Sequence, residues 1–307
     1  MKLLILGSGT SHGVPVIGCQ CAVCKSADTR DNRLRSSALL TDGDNNYLID
    51  VGPDFRQQAL RAGFRKLESV FITHAHADHI HGIDDLRIFS HKNSRAMNED
   101  AGIKEKYPET AGEGLPIYTS SRVASHIREC FKYIFVDHDK GGGIPKLNFI
   151  TVDNNNGENP VLKNGIQVVP VPMIHGNHHT TGWVFSKVES DGVKHSIAYL
   201  TDCSFISDSS LELVKKASEK GVLDHLVIDA LRVQPHSSHN NFDQALMYAN
   251  QIGAKNTWFI HMTHDFKHVD IQKYIDEHLS RYENLVKITE EGGCVRPSFD
   301  GLELNTL

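Results

Sequence analysis

Six consecutive residues of this 307-residue chain place four metal-binding side chains directly after an apolar strand. The segment HAHADH, residues 74–79, follows the apolar run 70–72. Side chains two positions apart in an extended segment point to the same side, so His74 and His76 can bind one metal ion. Asp78 and His79 lie at the turn into a following helix and can face a second ion. The segment therefore predicts a dinuclear metal site, and only a fold that gathers loops at this strand end can build one.

Three further candidate ligands stand just past the ends of other apolar strands. His175 follows the strand 166–170, Asp202 follows 197–201 and His261 follows 257–260. An open α/β sheet gathers its functional loops at such ends. Burying a carboxylate such as Asp202 costs free energy when its charge is unpaired. Two cations bound on either side of the carboxylate would pair that charge. Each residue alone is equally compatible with a capping or surface role, but together with the histidine segment they indicate one site.

Short apolar strands alternate with amphipathic helices along most of the chain. This order predicts an α/β protein with helix-covered sheets whose strands are not all parallel. No low-complexity linker divides the chain, so we predict a single domain over 1–307. The polar segment 90–115 is predicted to be an insertion, either a surface loop or a lid over the site. Strands are predicted over 2–6, 37–40, 47–50, 69–72, 116–119, 147–151, 166–170, 182–188, 197–201, 226–229 and 257–260, and helices over 55–62, 122–133, 211–220, 242–251 and 271–282.

Composition excludes several classes of protein. With 39% hydrophobic and 23% charged residues, the chain is neither disordered nor fibrous. Its net charge of −6 argues against a protein that coats nucleic acid. No apolar run approaches the roughly 20 residues of a membrane helix, and the first residues are too few for a signal-peptide core. We therefore predict a cytoplasmic protein without membrane association, whose cysteines are metal ligands or reduced thiols rather than disulfides.

Three of the six cysteines lie within six positions in a loop bounded by glycine. Cys19, Cys21 and Cys24 offer three thiolates, one ligand short of a closed tetrahedral zinc site. The spacing alone leaves two interpretations open: a structural zinc site completed by a distant residue, or a group of reduced thiols.

The HAHADH segment, followed in order by His175, Asp202 and His261, resembles the metallo-β-lactamase superfamily of metal-dependent hydrolases. The resemblance spans nearly the whole chain. It implies a four-layer αβ/βα sandwich with a dinuclear site at one edge. It also implies a role for each ligand. One ion is held by His74, His76 and His175, and the other by Asp78, His79 and His261. Asp202 bridges the two ions, and Asp50 orients a ligand without binding an ion itself.

The CxCxxC loop and the two late histidines resemble a narrower group, the PhnP-like phosphoribosyl cyclic phosphodiesterases. By this resemblance Cys19, Cys21, Cys24 and His264 form a structural zinc site. His239 is similar to a histidine that these enzymes carry beside the substrate phosphate. The resemblance implies that it binds a phosphoryl oxygen or protonates the leaving alkoxide, whereas the alternative is an ordinary residue at a helix start.

These features predict a metal-dependent hydrolase that cleaves small phosphodiesters, including cyclic ones, by a metal-bridged hydroxide. Two divalent ions lower the pKa of the bridging water from near 16 toward about 7. Asp78 and His239 are the predicted catalytic side chains. The imidazole and carboxylate ligands suit Zn²⁺, Mn²⁺ or Fe²⁺, whereas thiolates favour structural zinc.

Four alternatives stay open. Thiolester hydrolases and tRNA 3′-processing nucleases resemble this chain at the same motif. The segment 90–115 mixes charges of both signs and makes no basic arm, so we expect a small phosphodiester as partner rather than a long nucleic acid. The pyrroloquinoline quinone biosynthesis family resembles the chain at the cysteine cluster, which leaves a different binding role open. A non-catalytic metal carrier or sensor is the fourth alternative. Whether the chain forms a homodimer is also left open.

Overall fold

The computed structural model describes residues 1–90, 114–136, 143–153 and 159–306. Its strands form two mixed sheets. In the seven-stranded sheet, the pairs are antiparallel from the C-terminal strand through to the third strand and parallel from there to the other edge. Its members are β1 (Lys2–Gly7), β2 (Ser37–Asp42), β3 (Asn45–Ile49), β4 (Ser69–Phe71), β5 (Leu115–Thr119), β6 (Leu147–Thr151) and β13 (Glu303–Asn305), in the spatial order β13-β1-β2-β3-β4-β5-β6.

The second sheet has six strands and combines an antiparallel hairpin with a parallel half. Parallel strands bring their carboxyl ends to one edge, and the loops that leave them meet there. Its members are β7 (Gln167–His175), β8 (His178–Val188), β9 (Lys194–Leu200), β10 (Gly221–Asp229), β11 (Asn256–Ile260) and β12 (Cys294–Pro297), in the spatial order β12-β11-β10-β9-β8-β7.

Helices cover the outer face of each sheet. The first sheet is covered by α1 (Phe55–Ala62) and α4 (Ser121–Cys130), and the second by α6 (Asp208–Ala217), α7 (Phe242–Ile252) and α8 (His268–His278). The remaining helices are α2 (Ala77–Ile80), α3 (Arg87–Ser90), α5 (Lys132–Phe135) and α9 (Glu283–Glu290). None of the helices in the described part of the chain has the length and apolar character needed to cross a bilayer.

Period-two alternation explains why the sheets stack. Along β8, Trp183 and Phe185 point into the layer between the sheets, whereas Val184 packs under the helices. Phe71 of β4 meets both aromatic residues, with ring centroids 5.0 Å from Trp183 and 5.1 Å from Phe185. A strand that is apolar on both faces is expected only where both faces are covered. The predicted four-layer αβ/βα sandwich is confirmed.

The structure differs from the predicted elements at several boundaries. The predicted helix over 122–133 is two helices, because Phe131 leaves the helical conformation (φ −111°, ψ 39°). β8 starts four residues earlier than predicted, and the strands β12 and β13 and the helix α9 were not predicted. Within the predicted insertion 90–115, residues 91–113 lie outside the described residues. The single-domain assignment stays a prediction.

Candidate active site

The candidate site lies where the strands of the two sheets end. Asp50 follows β3, Asp202 follows β9 and His261 follows β11, and all three have a positive φ, of 58°, 55° and 64°. Residues other than glycine adopt this left-handed conformation at a cost of about 1–3 kcal/mol, so it persists only where the surroundings enforce it. The sharp turn at each strand end directs a ligand-type side chain toward one point between the sheets.

The histidine segment enters the site from β4. Asp78 and His79 form the first turn of α2, so their side chains lie on the helix while those of His74 and His76 lie on the extended chain before it. His74, Asp78 and His79 are buried, whereas His76 is partly exposed to solvent. The local change from extended to helical backbone separates His74 and His76 from Asp78 and His79.

Two groups of ligand atoms form, each within 4.8 Å, and they share one carboxylate. The first group is His74, His76, His175 and Asp202, and the second is Asp78, His79, Asp202 and His261. The Oδ2 atom of Asp202 lies 3.6 Å from Nε2 of His74 and 3.4 Å from Nε2 of His79. Its other oxygen, Oδ1, lies 3.4 Å from Nε2 of His261. Asp202 thus stands between the groups, where the sequence analysis expected the bridging ligand.

Some buried ring nitrogens of the candidate ligands have no hydrogen-bond partner, as expected for atoms that bind metal ions. Among the described residues, Nε2 of His79 and both ring nitrogens of His261 have no such partner. A buried polar atom left unsatisfied costs about 1–3 kcal/mol. Metal ligation would satisfy Nε2 of both side chains. The donors therefore fit a pair of divalent ions, with three imidazole or carboxylate ligands beside a shared carboxylate.

The protonation states of the histidines in the first group also favour metal binding. Burial lowers the pKa of His175 to about 4 and holds the pKa of His74 well below its ordinary value. Both imidazoles are therefore neutral at physiological pH. A neutral imidazole keeps the lone pair that a metal ion needs.

Hydrogen bonds behind the ligands fix their orientation. His79 donates from Nδ1 to Oδ2 of Asp50 across 2.7 Å, and Asp50 also accepts the backbone N–H of Thr73 at 2.8 Å. His175 donates from Nδ1 to the carbonyl oxygen of Ser238 at 2.6 Å. Each bond leaves Nε2 facing the site. Asp50 thus lies where the sequence analysis placed an orienting carboxylate.

His239 lies directly beside both groups of ligands. Its ring centroid is 4.5 Å from that of His261 and 4.5 Å from that of His175. Its Nδ1 donates to Oδ2 of Asp229, 2.9 Å away, and both side chains are buried. Burial would lower the pKa of His239, but the Asp229 carboxylate outweighs it and raises the pKa to about 9. His239 is thus protonated at neutral pH and can donate from Nε2.

Sequence reasoning missed Asp229. It is the last residue of β10, the same kind of position that identified Asp202 and His261, and that position was the signal available. Oδ2 of Asp229, the oxygen that accepts from His239, also accepts the backbone N–H of Cys203 at 2.9 Å, and this second bond helps to fix the carboxylate.

A cavity of about 240 Å³ opens beside His239. Its lining includes Arg232, His236 and His12, besides Thr10 and Thr263. The ring of His236 lies 5.3 Å from that of His239. The cavity therefore offers basic, hydroxyl and, at Asp265, acidic side chains beside His239.

The cysteine loop and the second late histidine also converge. The Sγ atoms of Cys19, Cys21 and Cys24 lie 3.4, 3.5 and 3.4 Å from Nδ1 of His264. Sulfur and nitrogen ligands of one tetrahedral zinc ion are about 3.5 Å apart, given Zn–S near 2.3 Å and Zn–N near 2.0 Å. The four side chains therefore fit a closed zinc site separate from the other ligands, and they are the four that the resemblance implied.

Comparison with known proteins gives one family and several relatives. Residues 45–262 match the family described as "Beta-lactamase superfamily domain". A protein of Porphyromonas gingivalis named octanoyltransferase is 33% identical over 305 residues, which is 98% of this chain but 54% of that protein. This chain thus spans about half of that relative.

Two solved structures are similar over their whole length. A diphosphatase from the PhnP family is 34% identical, with a TM-score of 0.75, over 99% of this chain and 97% of that one. Zn²⁺-bound PqqB from Methylobacterium extorquens is 17% identical, with a TM-score of 0.67, over 99% and 100% of the two chains. The second similarity concerns the fold alone.

Proposed function

Because the chain belongs to the β-lactamase superfamily of metal-dependent hydrolases, we propose that it cleaves a small phosphodiester or diphosphate. The observation that carries this proposal is the pair His239–Asp229, a buried proton donor beside both groups of ligands. A leaving alkoxide or phosphate needs a proton donor on the side away from the attacking water. The PhnP-family diphosphatase, 34% identical over nearly the whole chain, also favours a phosphorus substrate.

Two divalent ions, Zn²⁺, Mn²⁺ or Fe²⁺, would be held by the two groups of ligands with Asp202 between them. When bound, such ions supply a water molecule of lowered pKa and positive charge beside the phosphoryl oxygens. A separate structural Zn²⁺ would be held by Cys19, Cys21, Cys24 and His264.

The side chains of the site orient the ligands, position the attacking water and protonate the leaving group. Asp50 and the Ser238 carbonyl hold His79 and His175 in the orientation that points Nε2 inward. Asp78, besides its role as ligand, orients the attacking water by accepting a hydrogen bond. The water adds to phosphorus and loses a proton to solvent. The bond from phosphorus to the leaving oxygen breaks, and the proton on Nε2 of His239 passes to that oxygen.

A small partner agrees with the charge of the chain. The net charge of −6 gives no general attraction for the phosphates of a long nucleic acid. We therefore propose a small phosphorylated molecule as the substrate. The homodimer and the cytoplasmic location stay predictions.

Acyl-ester or thiolester hydrolysis is the second candidate. It is favoured by the relative named octanoyltransferase, which matches 98% of this chain. About half of that protein lies outside the match, so the acyl transfer could belong to either part. The ligands alone do not separate the two reactions, because both need an activated water and a polarised oxygen.

One assay separates these candidates. Metal-loaded protein is tested on bis(4-nitrophenyl) phosphate, a nucleoside 2′,3′-cyclic phosphate, a dinucleoside diphosphate and an octanoyl thiolester, with chelator-treated protein as the blank. We expect turnover of at least one phosphorus substrate, lost in Asp202→Asn. Turnover should be retained in His81→Gln, which removes an exposed imidazole two residues past the HAHADH segment. Turnover of the thiolester alone, with metal bound, would replace the proposal by the second candidate.

A further inference from the structure

The proposed proton donor His239 lies near the end of an irregular loop. This loop connects β10 to α7 over residues 230–241, and its middle part, residues 234–237, is exposed to solvent. An exposed stretch of loop has few contacts that could hold the chain in one place. The chain becomes buried again at His239 and Asn240, directly before the helix. The position of His239 beside the candidate ligands therefore depends on what fixes this end of the loop.

Asn240 makes two hydrogen bonds to a single residue, Cys203. The backbone N–H of Asn240 donates to the carbonyl oxygen of Cys203 at 2.8 Å, and its side-chain Nδ2 donates to Sγ of Cys203 at 3.2 Å. Cys203 directly follows Asp202, the carboxylate that both groups of ligands share, and Asn240 directly follows His239. The Cys203–Asn240 pair therefore joins the residue after the shared carboxylate to the residue after the proton donor.

A third hydrogen bond closes a ring of contacts around His239. The backbone N–H of Cys203 donates to Oδ2 of Asp229 at 2.9 Å, and the same oxygen accepts from Nδ1 of His239 at 2.9 Å. Cys203 thus contacts both the carboxylate that holds the imidazole and the residue that follows it in the chain. If Asn240 moved away from Cys203, the backbone of His239 would move with it while Asp229 stayed bonded to Cys203. The bond between His239 and Asp229 would then lengthen.

The pair with Cys203 is the only hydrogen-bonding role that the described residues give to the side chain of Asn240. Its Oδ1 is buried and accepts no hydrogen bond from them, which destabilises the fold. The cap of α7 is provided by the next residue, Asn241, whose side chain accepts from the backbone N–H of Gln244. Neither stability nor helix capping therefore explains an amide at position 240, whereas the bond from Nδ2 to Cys203 does.

We propose that Asn240 is a positioning residue that, through Cys203, fixes the distance of His239 from the shared carboxylate Asp202. The proposal rests on the proposed function, because it assigns to His239 the proton that the leaving group receives. Both Asn240 and Cys203 are completely buried, with 0% of their surface exposed, so water does not compete for the bonds between them. Neither side chain contacts the substrate, and both act through the imidazole.

Two substitutions of Cys203 test the proposal with little change in side-chain volume. Cys203→Ser keeps an acceptor for Nδ2 of Asn240, whereas Cys203→Ala removes it. We expect Cys203→Ala and Asn240→Ala each to lower kcat on a nucleoside 2′,3′-cyclic phosphate about 5- to 10-fold, the usual effect of one lost hydrogen bond, with KM and bound metal unchanged. On bis(4-nitrophenyl) phosphate, whose phenolate leaves without a proton, the loss should stay below about 3-fold. Cys203→Ser should keep most of the activity on both substrates.

Two further variants separate positioning from stability. The double variant Cys203→Ala/Asn240→Ala should be no slower than either single variant, because all three lack the same bond. Asn241→Ala removes the neighbouring helix cap and should lower the unfolding temperature, but the ratio of its kcat values on the two substrates should stay native. If Asn240→Ala does not fold, Cys203→Ala, which deletes a single atom, still decides the question.

Proton NMR of the zinc-loaded protein gives a readout that needs no turnover. The Nδ1 proton of His239 is buried and bonded to Asp229, so it should exchange slowly with water and give its own downfield resonance, identified by its absence in His239→Gln. We expect this resonance to persist in Cys203→Ser and to broaden through faster exchange in Cys203→Ala and Asn240→Ala.

These measurements distinguish failure of the proposal from failure of the proposed function. If no phosphorus substrate is cleaved, the proposed function fails, and the NMR signal alone decides whether Asn240 positions His239. An unchanged signal in Cys203→Ala and Asn240→Ala would overturn the proposal. Equal losses of kcat on both substrates, or the same loss in Cys203→Ser as in Cys203→Ala, would also overturn it.

Discussion

His239 donates from Nδ1 to a carboxylate oxygen of Asp229, 2.9 Å away, and both side chains are buried next to His261. The same Asp229 oxygen also accepts the backbone N–H of Cys203, and the carboxylate is fully buried, so no solvent competes for it. The pair is therefore built to keep one imidazole protonated and aimed by its Nε2 at the space between the two groups of ligands.

Asp229→Asn should slow cleavage according to the leaving group. A nucleoside 2′,3′-cyclic phosphate releases an alkoxide that needs a proton, so we expect kcat to fall about 100-fold. Bis(4-nitrophenyl) phosphate releases a stable phenolate, so its kcat should fall by less than about 10-fold. His239→Gln should show the same contrast with a larger loss. Equal losses on both substrates, or loss of metal measured in the same samples, would show that Asp229 supports the site structure instead.

The ligand-type side chains were predictable because each stands in a local pattern. Two histidines on an extended segment, or a polar residue just past an apolar strand, can be recognised as candidate ligands without knowledge of the fold. Asp229 satisfied the second pattern, but its meaning depends on His239, which the loop after β10 folds back against it. That contact is tertiary. The sequence therefore predicted His239 through a family resemblance and missed its partner.

Other features had no local signal at all. The positive φ of Asp202 belongs to the sharp turn at a strand end, and no pattern in the surrounding sequence identifies that turn. β12 contains Pro297 and β13 has three residues, so neither shows enough alternation to predict a strand. Arg122 is an exposed residue on an amphipathic helix, the commonest surroundings for arginine, and only the fold brings it beside the candidate ligands His74 and His76.

Cys21→Ala should destabilise the protein. The fraction of the variant that still folds should keep its activity. Loss of one thiolate opens the predicted structural zinc site, and a zinc site contributes its binding free energy to folding. We expect one zinc ion fewer per chain by elemental analysis and a lower unfolding temperature. Cys130→Ala, at an exposed cysteine outside the cluster, should change neither value. A Cys21→Ala protein that keeps its stability but loses activity would contradict the structural role.

Asp50→Asn should weaken metal binding without unfolding the site. The amide cannot hold His79 as a carboxylate does, and loss of such an orienting partner typically costs about 10- to 100-fold in metal affinity. Chelator competition measures this affinity directly. Asp44→Asn, in an exposed turn of the same sheet, is the matched control and should bind metal like the native protein. An Asp50→Asn affinity equal to that of the control would exclude the orienting role.

His195 should make stability depend on pH. Its ring nitrogens lie 2.9 Å from Asp224 and 2.9 Å from Asp191. Burial would lower the pKa of His195, but these two carboxylates outweigh it and raise the pKa above its ordinary value. A group whose pKa is raised by folding stabilises the native state below its unfolded pKa, near 6.5, and this contribution disappears as pH rises through the folded pKa.

His195→Gln should therefore lower the free energy of unfolding more at about pH 5.5 than at about pH 9. Urea unfolding of native and variant protein at both pH values measures the difference. Asp191→Asn removes the more exposed of the two carboxylates and should leave part of the pH dependence, because Asp224 still accepts from Nδ1. If His195→Gln destabilises the protein equally at both pH values, the imidazole contributes through packing and neutral hydrogen bonds. A greater loss at the higher pH would reverse the assigned direction of the shift.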